Sequence, residues 1–502
     1  MKWWCCGRPE ATTDMRSLDF SHHTLSDVPP DVFAFERTLE ELHLDSNRIC
    51  DLPRQLFYCQ ELRELYLQDN HINSIPDAIG TLVNLQIIDL CRNALTTISD
   101  EIRSCRQLTI VNLSENSLGR LPEALTCLTN LREMYLNDTL LEYLPANFGR
   151  MVNLRVLEVR QNNLITLPRS MVRLERLERI DLGMNEFAEL PEVIGCLTAL
   201  KELWIDGNKI RRISSNITQL TQLQHFDANG NYLRELPEEI GAWTDLQELS
   251  CSVNELVTLP RSIGNLKSLV TLKLDGNNLE RLPESIGMCV SLEELIVCRN
   301  RLRHLPTTVG RLRRLRILSS DENDLENLPD ELCSCTSLSI LSLCDNRLRR
   351  LPANMGRLLN LRVINVVRNR LTHLPVSVLD LRQLAAIWVT DNQTQPLVPL
   401  QCEVGPDCTV QLTCFMLPQT RPHSVQKNHR PANTPPSTLQ RVKFTREAEK
   451  TESNFMRSPT PHPRRHKKPP PVRRHQIMSE VDHPEIKTAH VKPLSHNGTH
   501  PV

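Results

Sequence analysis

The chain has 502 residues, 24% of them charged and 40% hydrophobic, and a formal net charge of only −1. No run of 18 apolar residues is present, so a membrane-spanning helix is not expected. Near-neutrality hides a partition: residues 419–502 carry 16 Lys and Arg against 6 Asp and Glu, a net +10, which leaves about −11 on residues 1–418.

Residues 1–17 read as a membrane-proximal segment. Cys5 and Cys6 are adjacent and flanked by Trp3, Trp4, Lys2 and Arg8. Aromatic and basic residues together suit a membrane interface, and paired cysteines there are candidates for S-acylation. The apolar run is too short for a secretory signal.

From residue 18 to 392 the chain keeps a ruler. Asn47, Asn70, Asn93 and Asn116 stand 23 residues apart, and the series resumes from Asn162 to Asn392 with Thr139 on the one vacant rung. A fixed period of this length marks a leucine-rich repeat. Each repeat offers a short strand such as Leu65-Tyr66-Leu67, whose leucines point inward and whose middle residue points outward. The asparagine amide both donates and accepts, and so suits turn groups that would otherwise be buried unpaired. Thirteen repeats place proline six residues after the rung, from Pro53 to Pro375, where it starts the convex arm. Glycines such as Gly80, Gly149 and Gly287 follow and are expected to permit a tight turn. The first repeat begins at Leu18 and is one residue longer than the others. The expected fold is an α/β leucine-rich repeat solenoid, with about 17 repeats of 23 residues and a curved parallel sheet on the concave face.

Seventeen cysteines raise the question of disulfides. Cys59, Cys105, Cys289 and Cys335 all fall twelve residues after a rung, where other repeats have leucine. They read as buried small hydrophobes in a reducing compartment. The concave positions lie four and two residues before each rung. Tyr66, Tyr135 and Trp204 fall there, with Asp181, Asp206 and Asp227 beside Trp204. An exposed Trp among acids is a candidate anchor for a basic protein partner; the same residues also describe a solvated face. A run of arginines including Arg301, Arg303, Arg311, Arg313, Arg347 and Arg349 is expected to form one basic stripe on the loop side.

Residues 393–418 leave the register, and 419–502 are rich in Pro, His, Arg and Lys without apolar periodicity, so a disordered basic tail is expected. Ser458 and Thr460 each precede proline and are candidate phosphorylation sites. No catalytic triad, phosphate loop or metal-ligand spacing stands outside the repeat code. No enzymatic activity, cofactor, metal, small-molecule substrate or nucleic-acid partner is therefore expected.

Three stretches narrow the repeat class: 18–42, the irregular Tyr135–Gly149 around Thr139, and Ile387–Leu400. Together they resemble the LAP family of leucine-rich repeat and PDZ proteins, over about residues 15–415 and here without a PDZ domain. The resemblance implies a non-enzymatic cytoplasmic scaffold at the inner face of the basolateral plasma membrane and cell junctions. It would organise polarity, receptor clustering and synapses, with the repeats and acylated N-terminal cysteines placing it at the membrane. Residues 393–418 would begin the family's own post-repeat segment. A Ras-pathway or phosphatase-regulating repeat adaptor is the alternative. The ending Thr499–Val502 makes a poor PDZ ligand.

Overall fold

The computed structural model describes residues 15–392, 401–404 and 410–413. The chain divides into two units, 1–456 and 457–502, and all described residues belong to the first. Cys5, Cys6, Ser458, Thr460 and the tail lie outside the described residues.

Seventeen three-residue strands, from Ser17–Asp19 to Ala386–Trp388, form one parallel sheet. Neighbouring strands pair at a constant shift, with Leu65 opposite Ile88 and Leu203 opposite Phe226. The only different step is the first, Leu18 opposite Leu42, one residue longer. The 23-residue ruler thus becomes a stack of like positions: Leu42, Leu44, Leu203 and Ile205 are completely buried. Each such side chain contributes about 1.5–3 kcal/mol on burial, and identical neighbours above and below let every repeat complete the next one's core.

Asparagine holds the other end of each strand. Asn208 Nδ2 donates to the carbonyls of Leu182, 3.0 Å, and Ile205, 3.0 Å, while its Oδ1 accepts from the amide of Phe187 at 3.1 Å. The same set recurs at Asn254 and Asn346. Each inward carbonyl is thereby reached by two rungs, and each loop amide by one. Closing this turn requires the residue just before the rung to adopt a left-handed backbone, as at Asp69, φ 58°, Arg92, φ 55°, and Met184, φ 54°. That position carries glycine only at Gly207, Gly230 and Gly276.

Thr139 shows what the ladder supplies. Its hydroxyl, with one proton to give, lies 2.8 Å from Leu136 O and 3.0 Å from Asn162 Oδ1. It has no amide oxygen to offer the repeat before it; instead its backbone carbonyl accepts from the Gly119 amide at 3.0 Å. Gly119 takes φ +65° to do so, and Leu140, after the rung, is driven to φ 60°. The first repeat, with His23 in the asparagine place, likewise has left-handed residues on both sides, His22 and Thr24.

The convex arms are short 3-10 turns such as Arg54–Tyr58 and Glu192–Cys196; none of the described residues is α-helical. Proline sits immediately before these turns in extended backbone, and its carbonyl accepts the first bond, as from Leu56 N to Pro53 O at 3.0 Å. Where serine replaces it at Ser99, the hydroxyl accepts from the Glu101 amide and caps the turn.

The glycines of this arm serve a different purpose from the expected turn. Gly149 and Gly287 keep φ outside the left-handed region, but a Cβ on Gly149 would lie 1.8 Å from Ser170 O, and one on Gly287 2.3 Å from Thr308 O. They allow adjacent 3-10 turns to approach backbone to backbone. The cysteines twelve residues after a rung are buried and free as expected, but also polar in use: Cys105, Cys289 and Cys335 each donate Sγ–H to the carbonyl of the preceding turn at 3.2 Å. Trp243 does the same through Nε1, 3.0 Å from Ile217 O. Burial pushes the Cys105 thiol up to about 12 and keeps it protonated.

After the last repeat, strands Gln401–Val404 and Val410–Thr413 pair antiparallel, and the second also pairs with Leu374–Pro375 in the final convex arm. Leu412, opposite Leu374, is buried against the core. Part of the 393–418 segment therefore closes over the array's last edge.

Candidate protein-interaction face

Strand pleating sends three residues per repeat to the open face of the sheet: the first and third of each strand and the one two further on. The positions four and two before the rung are the last two of these. The first, six before the rung, completes the site and changes its electrostatics.

Trp204 lies half-buried rather than free. The guanidinium of Arg179, one strand back at such a first position, lies 4.6 Å above its ring, and His225, one strand on, packs against it with centroids 4.8 Å apart. Asp206 is engaged by both terminal nitrogens of Arg160, at 2.8 and 2.5 Å, and Asp181 receives the same guanidinium at 3.4 Å. Arg179 also pairs with Glu158 at 2.8 Å, and Lys273 with Glu248 at 2.6 Å. The acids around Trp204 are thus largely neutralised by their neighbours on the sheet. The fork-like Arg160–Asp206 contact raises the pKa of Arg160 further.

Asp227 is the exception. Its carboxylate accepts from the Asn229 amide at 2.9 Å, and among the described residues no Lys or Arg pairs with it. Burial raises its pKa above the usual carboxylate range. The folded state therefore binds the proton more tightly than the unfolded chain, and this residue subtracts stability as pH rises through its folded pKa. Asp227→Asn keeps the acceptor for Asn229 and removes the buried charge. It is expected to raise the melting temperature at neutral pH, with the gain vanishing on acidification; an unchanged melting temperature at pH 7 would contradict this.

Tyr66 and Tyr135 mark a sector that the positions two and four before the rung conceal. Across the first six strands, through Asn137, the open face carries Asp19, Glu41, Asp45, Glu64, Asp89 and Glu133, and no Lys or Arg. Tyr66 donates to Glu64 at 2.8 Å, Tyr135 to Glu133 at 2.7 Å, and His43 stacks on Tyr66 with centroids 4.5 Å apart. Burial and the adjoining carboxylate push the Tyr66 phenol up to about 12. This is the face's acidic and aromatic sector, compensated only in part among the described residues, by His43 at 2.7 Å from Glu41 and by His22 and His43 beside Asp45. Counting the first position of every strand would have exposed it in the sequence. Over the whole open face 15 carboxylates oppose three Lys and Arg, so its net −12 accounts for the −11 of residues 1–418.

The arginines do not form one stripe. Arg301, Arg303, Arg347 and Arg349 follow the strands, whereas Arg311 ends the 3-10 turn Thr307–Arg311 and Arg313 precedes the next strand, on the opposite edge of the sheet. Arg347 is paired with Asp324 at 2.6 Å, and Arg313 donates to Ser334 O.

Two leucine-rich repeat models match the chain, "Leucine-rich repeat region" at 117–229 and 211–321 and "Leucine rich repeat" at 37–95, 60–111 and 83–141. Together they span 37–321, more than half of the 502 residues. Rat leucine-rich repeat-containing protein 7 is 58% identical over 69 residues, 14% of this chain and 5% of its own length. Human Erbin is 53% identical over 60 residues, 12% of this chain and 4% of its own. The matched stretches thus span about a twentieth of these relatives. A leucine-rich repeat protein of Leptospira interrogans superposes with TM-score 0.65 and 29% identity, covering 75% of this chain and 91% of that one. The ectodomain of the Arabidopsis thaliana receptor kinase GASSHO1/SCHENGEN3, solved in complex with Casparian strip integrity factor 2, superposes with TM-score 0.56 and 26% identity, covering 76% of this chain and 50% of that one. With the repeat models spanning more than half of it, the chain belongs to the leucine-rich repeat proteins, and it is similar over these stretches to Erbin and leucine-rich repeat-containing protein 7, both LAP proteins.

Proposed function

We infer that the chain is a non-enzymatic scaffold that binds other proteins on the open face of its sheet. In this reading it works at the inner face of the basolateral plasma membrane and at cell junctions, in polarity, receptor clustering and signalling. The observation that carries the binding role is the concentration of the body's net charge on that one face, with a tyrosine-bearing sector that holds no Lys or Arg among the described residues and whose bases are histidines. Solvation alone would be served by charge on any surface; gathering it on a regular sheet gives electrostatic complementarity to a partner. The plant receptor's complex shows a related fold engaging a protein ligand. Membrane placement rests on the likeness to the LAP relatives, on Cys5 and Cys6, and on the basic tail.

Proximity labelling in polarised epithelial cells tests both parts. Wild type is expected to label basolateral and junctional proteins. Glu64→Lys with Glu133→Lys is expected to keep the membrane position and lose a defined subset of labelled proteins. Cys5→Ser with Cys6→Ser is expected to move the protein to the cytosol. Identical label sets from wild type and the face variant would refute binding on this face, and an unmoved cysteine variant would refute anchoring by acylation.

A further inference from the structure

The open face is not uniform along the array. After Glu294 its character changes. Over the last four strands, from Ile317 onward, Asp321 is the one charged residue on the open face. Its carboxylate keeps its charge but is held within the face: the single Ser342 hydroxyl proton is shared between its oxygens, 2.7 and 2.9 Å from Oγ, and the Cys344 amide donates at 2.7 Å. The first positions of these strands are Ile317, Ile340, Val363 and Ala386, a half-buried apolar column that ends beside Trp388. The sheet therefore runs from six acidic strands without Lys or Arg, through seven in which Arg160, Arg179 and Lys273 answer part of the acid and leave Asp227 and Glu294 without a basic partner, to four whose single charge, Asp321, is held by hydrogen bonds within the face.

We propose that this face takes one extended segment of a partner protein that is basic at one end and apolar at the other. The proposal rests on protein binding at the open face and names the chemistry of the partner. The basic end lies over Glu41, Glu64 and Glu133, with Tyr66 and Tyr135 offering rings to cations. The apolar end lies over Ile340, Val363 and Trp388. Complementarity sets the order. A lysine placed over the neutral end loses hydration with few carboxylates to gain, and an apolar stretch over the acidic end strips water from carboxylates that have no Lys or Arg beside them on the face. At a strand spacing of about 4.8 Å, seventeen strands span about 77 Å, which an extended chain covers in about 23 residues at roughly 3.3 Å each. The middle, still net acidic after Arg160, Arg179 and Lys273 are counted, takes a polar linker without acids.

The test uses the full-length protein and three fluorescent peptides. One has a Lys/Arg block, a Gly/Ser spacer and a Val/Phe block. The second has the same composition with basic and apolar residues evenly mixed. The third is the basic block alone. Fluorescence anisotropy is expected to show the block peptide binding at least tenfold more tightly than the mixed one. Glu64→Lys with Glu133→Lys should weaken both the block and the basic peptides at least tenfold at low salt. Val363→Asp, or Ile340→Asp if Val363→Asp lowers the melting temperature, should weaken the block peptide alone by a similar factor, at low and high salt. Equal binding of block and mixed peptides, or a neutral-end variant without effect, would overturn the proposal. So would light scattering that shows a dimer of the wild type broken by Val363→Asp, which would make the apolar end a self-association surface. If the peptides fail to discriminate while the face variant still loses labelled proteins in cells, the partner chemistry is wrong and the binding role stands.

Discussion

Asn208→Ala is expected to destabilise the array by about 2–4 kcal/mol, more than most surface substitutions in a chain of this kind. The cost does not come equally from all its bonds. Leu182 O also accepts from Asn185, and Ile205 O also accepts from Asn231, so both carbonyls keep a donor when Asn208 is removed. The Phe187 amide has the Asn208 oxygen as its acceptor, and the substitution leaves that buried N–H unpaired. A small void at a buried position adds to the penalty. Because repeats contact mainly their neighbours, the loss should be local. Urea denaturation should show a lowered midpoint, and amide exchange should accelerate first at Phe187 and the adjoining rungs. An unfolding free energy within about 0.5 kcal/mol of wild type would mean that water or a backbone shift replaces the Oδ1 acceptor.

The same rung explains why the fold was so legible. Period, inward leucines, asparagine and proline are all side-chain identities at fixed spacing, and a one-dimensional array converts spacing directly into position. What stayed hidden was backbone geometry. The left-handed residue before each rung carries Ser46, Asp69, Arg92, Glu115 and Met184 among others, so no residue type signals it. The surrounding ladder over-determines that conformation, which relaxes the usual preference for glycine or asparagine. Thr139 was legible as a vacancy, but its consequences, a left-handed Gly119 in one repeat and Leu140 in the next, depend on which carbonyl replaces the missing oxygen.

The face was legible in its position and misleading in its charge. Asp181, Asp206 and Trp204 do come together on adjacent strands, as their common place in the period requires. The sequence also holds Arg160 and Arg179, but only a register that sets Arg179 opposite Glu202 and Val156 shows those bases lying against those acids. A solitary cation among many acids can be read from composition as a minor correction. In space it neutralises the patch around it and moves the unpaired carboxylates elsewhere, to Asp227 and to the first six strands. Charge counts locate a binding face; only pairing locates the part of it still able to attract a partner.

Gly149→Ala is expected to cost about 3 kcal/mol, at the upper end of overpacking penalties. The added methyl would sit 1.8 Å from Ser170 O and 2.4 Å from Ser170 C, and backbone atoms cannot rotate aside as a flexible side chain can. The Gly149 amide also donates to Ser170 Oγ at 3.0 Å, so a shift of the turn breaks that bond too. Gly80→Ala provides the control in the same structural position. There the nearest atom is Glu101 O at 3.0 Å, a contact that a shift of a few tenths of an ångström relieves. Alanine also restricts the unfolded chain, which favours folding by about 0.4–1 kcal/mol where the backbone φ is ordinary. Gly80→Ala should therefore stay within about 1 kcal/mol of wild type. If these glycines existed to make a tight turn, the two substitutions would cost alike, since neither has a left-handed φ. Close approach instead predicts a large gap between their denaturation midpoints, with Gly310→Ala, whose methyl would meet Glu331 O at 2.3 Å, falling between them.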